Sequence, residues 1–206
     1  MKRKQILQKL FSVFKKQEVD FVIVYGNKKG RDVDLFVGLK RDFQFETVQI
    51  GELDVVSFGG IWIPHLIVRL DPMITEPLQT GKVIFGDISE LKSKLLKVRI
   101  DEEVCCYLIH TALIFFDWAK QLLKERKLDG VIWNLSFVVS YVAFAKYYKN
   151  SKKLVKFADL CSSGGICEDV TYLREMAKNM ALVGEGEIRQ NLRKICRMLT
   201  NVRFKI

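Results

Sequence analysis

Three aspartates have the type and spacing to do chemistry: Asp32 and Asp34 in Gly26-Asn27-Lys28-Lys29-Gly30-Arg31-Asp32-Val33-Asp34-Leu35-Phe36-Val37, and Asp54 in Glu52-Leu53-Asp54-Val55-Val56. Side chains two apart on a strand share a face, so Asp32 and Asp34 can present their carboxylates side by side. Like charges that close repel unless a cation sits between them. Leu35-Phe36-Val37 reads as a buried strand, at whose end an uncompensated carboxylate pair is costly. A hard divalent cation resolves that conflict, and Mg²⁺ typically takes one or two carboxylates together with substrate phosphates. Asp54 sits in a second β-type run, from which a neighbouring strand can complete the site. Phosphoryl or nucleotidyl transfer is the chemistry this suggests.

The elements that must position these acids follow from periodicity. Residues 1–16 are predicted helical, with Ile6, Leu7, Leu10, Phe11 and Phe14 as one apolar stripe. Phe21 to Tyr25 is a β-branched and aromatic run ending at Gly26, and it is predicted as the first strand. Val33 to Val37 follows as the second strand and Leu53 to Phe58 as the third. Gly59-Gly60 marks a turn into an expected fourth strand, Ile61 to Val68, with Pro64 indicating an edge or a bulge. Asp71-Pro72 has the form of a helix cap with proline in the first turn; that helix ends near Gly81, and Lys82 to Gly86 is a fifth strand. From about Ile88 the pattern is helical: 88–97, 101–127, 130–149, 151–161, 168–182 and 185–200. The expected fold is therefore α+β, a small mixed sheet in residues 1–98 followed by an all-α helical bundle in 99–206.

Taken together, the first half resembles the DNA polymerase beta-like nucleotidyltransferase superfamily, in particular its small prokaryotic members with a helical C-terminal domain. Val24-Tyr25-Gly26-Asn27 matches the family's Gly-Ser position, Asp32-Val33-Asp34 its paired acids, and Asp54 its third acid. The resemblance covers roughly residues 20–87. Asn27 stands where Ser is usual, and four residues separate Asn27 from Asp32, fewer than the family usually has. The helix that normally faces the nucleotide phosphates is thereby shortened to a turn, and Lys28, Lys29 and Arg31 are candidates to replace its positive end. The resemblance implies that Asp32 and Asp34 hold two Mg²⁺ ions on a nucleoside triphosphate, that Asp54 serves the metal activating an acceptor hydroxyl, and that Gly26 lets the backbone approach the phosphates. Gly26, Asn27, Lys28, Lys29 and Arg31 form the expected nucleotide-binding set. The acceptor stays open among a small hydroxylated molecule, a protein side chain and an RNA end. The alternative is a catalytically weak binding module on the same fold, an antitoxin-like protein partner or an RNA-binding accessory subunit.

The remainder of the chain sets the context. Among 206 residues, 49% are hydrophobic and 28% charged, which excludes disorder, and 34 Lys+Arg against 24 Asp+Glu favour anionic partners. The last helix carries Arg189, Arg193 and Arg197 at i, i+4 and i+8 opposite Ile188, Leu192, Ile195 and Leu199. Such a stripe can track the phosphates of a polyanion, or serve as a solvated face; it contains almost no aromatic residue to stack on bases. The five cysteines form no metal or disulfide framework, although Cys161 and Cys167 can close a small loop, and reduced thiols point to the cytoplasm. His65 is expected on a strand and His110 in a helix core, neither in a site. Phe115, Trp118, Phe137, Tyr141, Phe144 and Tyr148 are expected to form the bundle core. Val131 to Tyr148 is short for a bilayer span and reads as a buried helix, so no membrane partner is expected. The helical half is expected to bind the acceptor or to pair two copies of the chain.

Overall fold

The computed structural model describes residues 1–26, 33–40, 45–162, 172 and 184–203, the side chains of 158, 161, 162, 185 and 201–203 apart. The chain divides into two compact units, Met1–Arg99 and Ile100–Ile206. Its architecture is α+β, a mixed sheet followed by helices.

The first unit runs α1 (Arg3–Leu10), a 3-10 turn (Lys16–Glu18), β1 (Val19–Tyr25), β2 (Val33–Leu39), β3 (Phe45–Ile50), β4 (Leu53–Gly59), α2 (Trp62–Val68), α3 (Pro72–Thr80), β5 (Lys82–Phe85) and α4 (Ser89–Leu96). The strands are ordered β3-β4-β2-β1-β5, and β2 with β4 is the parallel pair among antiparallel neighbours. One face of the sheet buries Val22, Leu35, Val37, Leu53 and Val55 under Ile6 and Leu10 of α1. On the other face Phe36 lies 5.6 Å from Phe21 and 5.8 Å from Phe58, ring centre to ring centre. There α2 contacts β4 and α3 contacts β1, with Ile63, Ile67, Ile74 and Leu78 buried.

Several sequence expectations are corrected. The helix of residues 1–16 stops at Leu10, where i→i−3 bonds from Ser12 to Lys9 and Val13 to Leu10 tighten the chain into turns. Phe11 and Phe14 still pack on the sheet core, so the apolar stripe survives the loss of helix. The segment Ile61–Val68 is a helix rather than a strand. Helix α2 spans Trp62–Val68; its buried residues Ile63 and Ile67 lie one helical turn apart, and Pro64 falls in the first turn, where a missing N–H costs nothing. His65 is therefore an exposed helix residue. Strand β3 was not anticipated: half-exposed at the sheet edge, it lacks the apolar signal of a buried strand. As expected, Asp71 caps α3, accepting from the Met73 N–H at 2.9 Å.

In the second unit α5 (Glu102–Lys124) and α6 (Leu128–Ser151) form an antiparallel hairpin, followed by α7 (Phe157–Ser162) and α8 (Glu185–Arg203). Asp101 caps α5 through the Val104 N–H. Phe115 stacks on Phe137 at 5.0 Å and meets Tyr141 at 5.5 Å, while Phe144 contacts Tyr148 and Phe157. Trp118 departs from the expected core: it touches Phe115 edge-on but is 51% exposed. His110 is likewise exposed rather than buried. At 24 residues α6 is long and apolar enough to cross a membrane, and 67% of its most apolar 18-residue stretch is buried within the protein. Ile188, Leu192, Ile195 and Leu199 are buried, so α8 docks through the expected apolar stripe. The helix expected over 168–182, Tyr172 apart, and the Cys161–Cys167 loop lie outside the described residues.

Candidate functional site at the head of the sheet

Strand register assembles the site. In the parallel pair Asp34 is the partner of Asp54. Across the antiparallel pairs Tyr25 is the partner of Asp34, and Gln49 the partner of Asp54. Partners in register share a face, so Gln49, Asp54, Asp34 and Tyr25 form one row across β3, β4, β2 and β1. The face follows from alternation. Val24, Val33, Leu35, Ile50, Leu53 and Val55 pack in the layer under α1, so the four polar neighbours point the other way. Both aspartates are partly buried, Tyr25 likewise, and Gln49 is exposed. Adjacent strands lie about 4.8 Å apart, which sets the two carboxyl-bearing backbones at that spacing.

Gly26 closes the row from the end of β1. Its φ is +82°, and a Cβ added there would run into Asp34 Oδ2, with Asp34 Cβ a further 3.4 Å contact. Only glycine combines that backbone with that proximity. The room that Gly26 leaves is therefore used by the Asp34 carboxylate. Two-residue Gly51-Glu52 links β3 to β4, with Gly51 at φ +63°, and fixes which face Asp54 takes.

Asn27, Lys28, Lys29, Arg31 and Asp32 lie outside the described residues. Among the described residues no group of three or more His, Cys, Asp or Glu gathers as a metal site. Asp34 and Asp54 are brought together; a pair of oxygen-bearing, partly buried carboxylates is the donor chemistry a hard divalent cation takes. Tyr25 and Gln49 were missed by sequence reasoning. Their signal is pairing register, which becomes readable only once β3 is recognised and the parallel β2–β4 pair is known. Arg189, Arg193 and Arg197 stand exposed on α8 in the second unit.

No family model matches the chain, and no curated protein sequence matches it. Among solved structures the chain is similar to a nucleotidyltransferase-like protein from Exiguobacterium sibiricum 255-15, at 12% identity and a TM-score of 0.42, over 97% of this chain and 75% of that one. A likeness that distant carries no chemistry across, and the functional reading rests on the aspartates.

Proposed function

We propose that the chain is a Mg²⁺-dependent nucleotidyltransferase of the DNA polymerase beta-like kind, transferring a nucleoside monophosphate from a triphosphate to a hydroxyl acceptor. The observation that carries the reading is the register pairing of Asp34 with Asp54 on one face of adjacent strands. Asp34 and Asp54, with Asp32 two residues upstream on the same chain, supply carboxylate oxygens for the cation. When bound, the metal supplies charge neutralisation on the triphosphate and polarises the α-phosphate. The chain's own part is positional. Gly26 keeps the Asp34 carboxylate in its place, and Tyr25 offers a phenol in the same row. Lys28, Lys29 and Arg31 add positive charge in the stretch of sequence between Tyr25 and Asp34. The acceptor is a small hydroxylated molecule, a protein or an RNA end.

Thermal melts with each nucleoside triphosphate, with and without Mg²⁺, test this. Stabilisation that requires both, and that Asp34→Asn and Asp54→Asn each abolish, is the expected result. Triphosphate binding indifferent to Mg²⁺ and to both substitutions overturns it. One observation favours a second reading, a binding module without catalysis: only eight residues, 26–33, join the paired ends Tyr25 and Asp34. That segment is short for a phosphate-facing helix. Metal-dependent triphosphate binding without pyrophosphate release in the presence of any acceptor class would select it.

A further inference from the structure

The α8 helix exposes Arg189, Arg193, Lys194 and Arg197 on the side opposite its buried Ile188, Leu192, Ile195 and Leu199. At 1.5 Å rise per residue the three arginines succeed one another every 6 Å or so, a line about 12 Å long. A groove of about 870 Å³ runs along this side, lined by Tyr172, Gln190, Asn191, Arg193, Lys194 and Arg197. The sequence shows almost no aromatic residue on this helix, which counts against base stacking. The fold brings one in: Tyr172, 43% exposed, donates its hydroxyl to Glu187 at the groove's wall, which fixes the ring against α8. Guanidinium groups in a line, amide side chains and an oriented, accessible ring are the three contact chemistries that strand-binding grooves combine.

We propose that this groove binds a single-stranded polynucleotide, with phosphates along Arg193 and Arg197, extended by Arg189, and a base stacked on Tyr172. Gln190 offers a donor and an acceptor to base edges, while Asn191, whose amide donates to the Glu187 carbonyl at 3.1 Å, helps to hold the groove's wall. Glu187, the carboxylate in the wall, is engaged by the tyrosine hydroxyl and serves to orient the ring. Nothing in this surface needs the aspartates, so strand binding is independent of metal and triphosphate, and the two proposals fail separately.

The test is fluorescence anisotropy of the full chain with labelled 12-nucleotide RNA and DNA single strands and the matching duplex, in EDTA, from 50 to 200 mM salt. Single strands are expected to bind with an affinity that falls with salt. Replacing Arg189, Arg193 and Arg197 by Gln should flatten the logarithmic salt slope by about 2, at roughly 0.7 per phosphate contact on a single strand. Tyr172→Leu should weaken binding roughly 5- to 150-fold at unchanged slope, and Tyr172→Phe, which keeps the ring, should retain most of it. Lys120→Gln/Lys124→Gln/Lys127→Gln removes the same charge elsewhere in the unit and should leave the slope alone. Tighter binding of the RNA or of the DNA strand supports the proposal and names the sugar. Absence of single-strand binding overturns it. Equal binding of duplex with Tyr172→Leu neutral, or a control triple that flattens the slope as much, also overturns it, returning the helix to a solvated basic face.

Discussion

Gly26→Ala is the sharpest probe of the site, because two separable costs meet at one position. Alanine at φ +82° carries a left-handed penalty of about 1–2 kcal/mol. Its methyl group also runs into Asp34 Oδ2, an overpacking cost of about 1–3 kcal/mol if the carboxylate has to move. The single variant is expected to lose about 2–5 kcal/mol. Asp34→Ala removes the obstructing oxygens and leaves Cβ at 3.4 Å, an ordinary contact. On that background the glycine substitution should cost only the backbone penalty, so a double-mutant cycle yields a coupling of about 1–3 kcal/mol. Urea unfolding followed by circular dichroism measures all four corners. Costs that add to within about 0.5 kcal/mol would refute the reasoning, since the carboxylate would then not occupy the space that Gly26 leaves. The same Gly26→Ala protein should lose Mg²⁺-dependent triphosphate stabilisation even where it remains folded.

In a double-mutant cycle of Asp34→Asn with Asp54→Asn, the double variant should fall short of the summed single effects by roughly 1 kcal/mol, because charges about 5 Å apart on adjacent strands repel by that much even at the dielectric of water; strictly additive effects in denaturant melts would mean that the two carboxylates do not feel each other. Asp71→Ala should cost about 0.5–2 kcal/mol through loss of the α3 cap while Asp71→Ser retains most of it, as denaturant midpoints would show. Burial pushes the Cys105 thiol up from its usual range, so at pH 8 it should stay protonated and alkylate far more slowly than exposed Cys106, the gap narrowing only as pH rises well above that range; peptide mass spectrometry after timed iodoacetamide treatment checks it.

What was legible in the sequence is what local pattern records. Phe21–Tyr25 carries a continuous apolar run and Val33–Val37 one broken only by Asp34, which marks both as strands, and Asp71-Pro72 announced its helix. Asp34 and Asp54 were singled out because carboxylates beside buried runs demand an account. Non-local information was not legible. Ile61–Val68 has a strand's composition, and only its burial periodicity against the sheet makes it helical. The edge strand Phe45–Ile50 is too polar to stand out, and without it Gln49 had no reason to be considered. Tyr25 read as the last apolar residue of a strand until register placed it beside Asp34. Tyr172 joins α8 only through tertiary structure, so a helix with almost no aromatic residue in its sequence acquired one in space.

The Gly51-Glu52 turn has a consequence in register. Two residues with Gly51 in the left-handed region make the tight connection that sets Ile50 opposite Leu53 and Gln49 opposite Asp54. A slip of β4 along β3 by one residue would turn the whole strand over, driving Asp54 into the apolar layer beneath α1 and pushing Leu53 and Val55 out of it. The turn therefore guards fold and site at once: a longer loop that keeps Ile50 opposite Leu53 leaves both in place, and one that shifts the pairing by a single step loses both together.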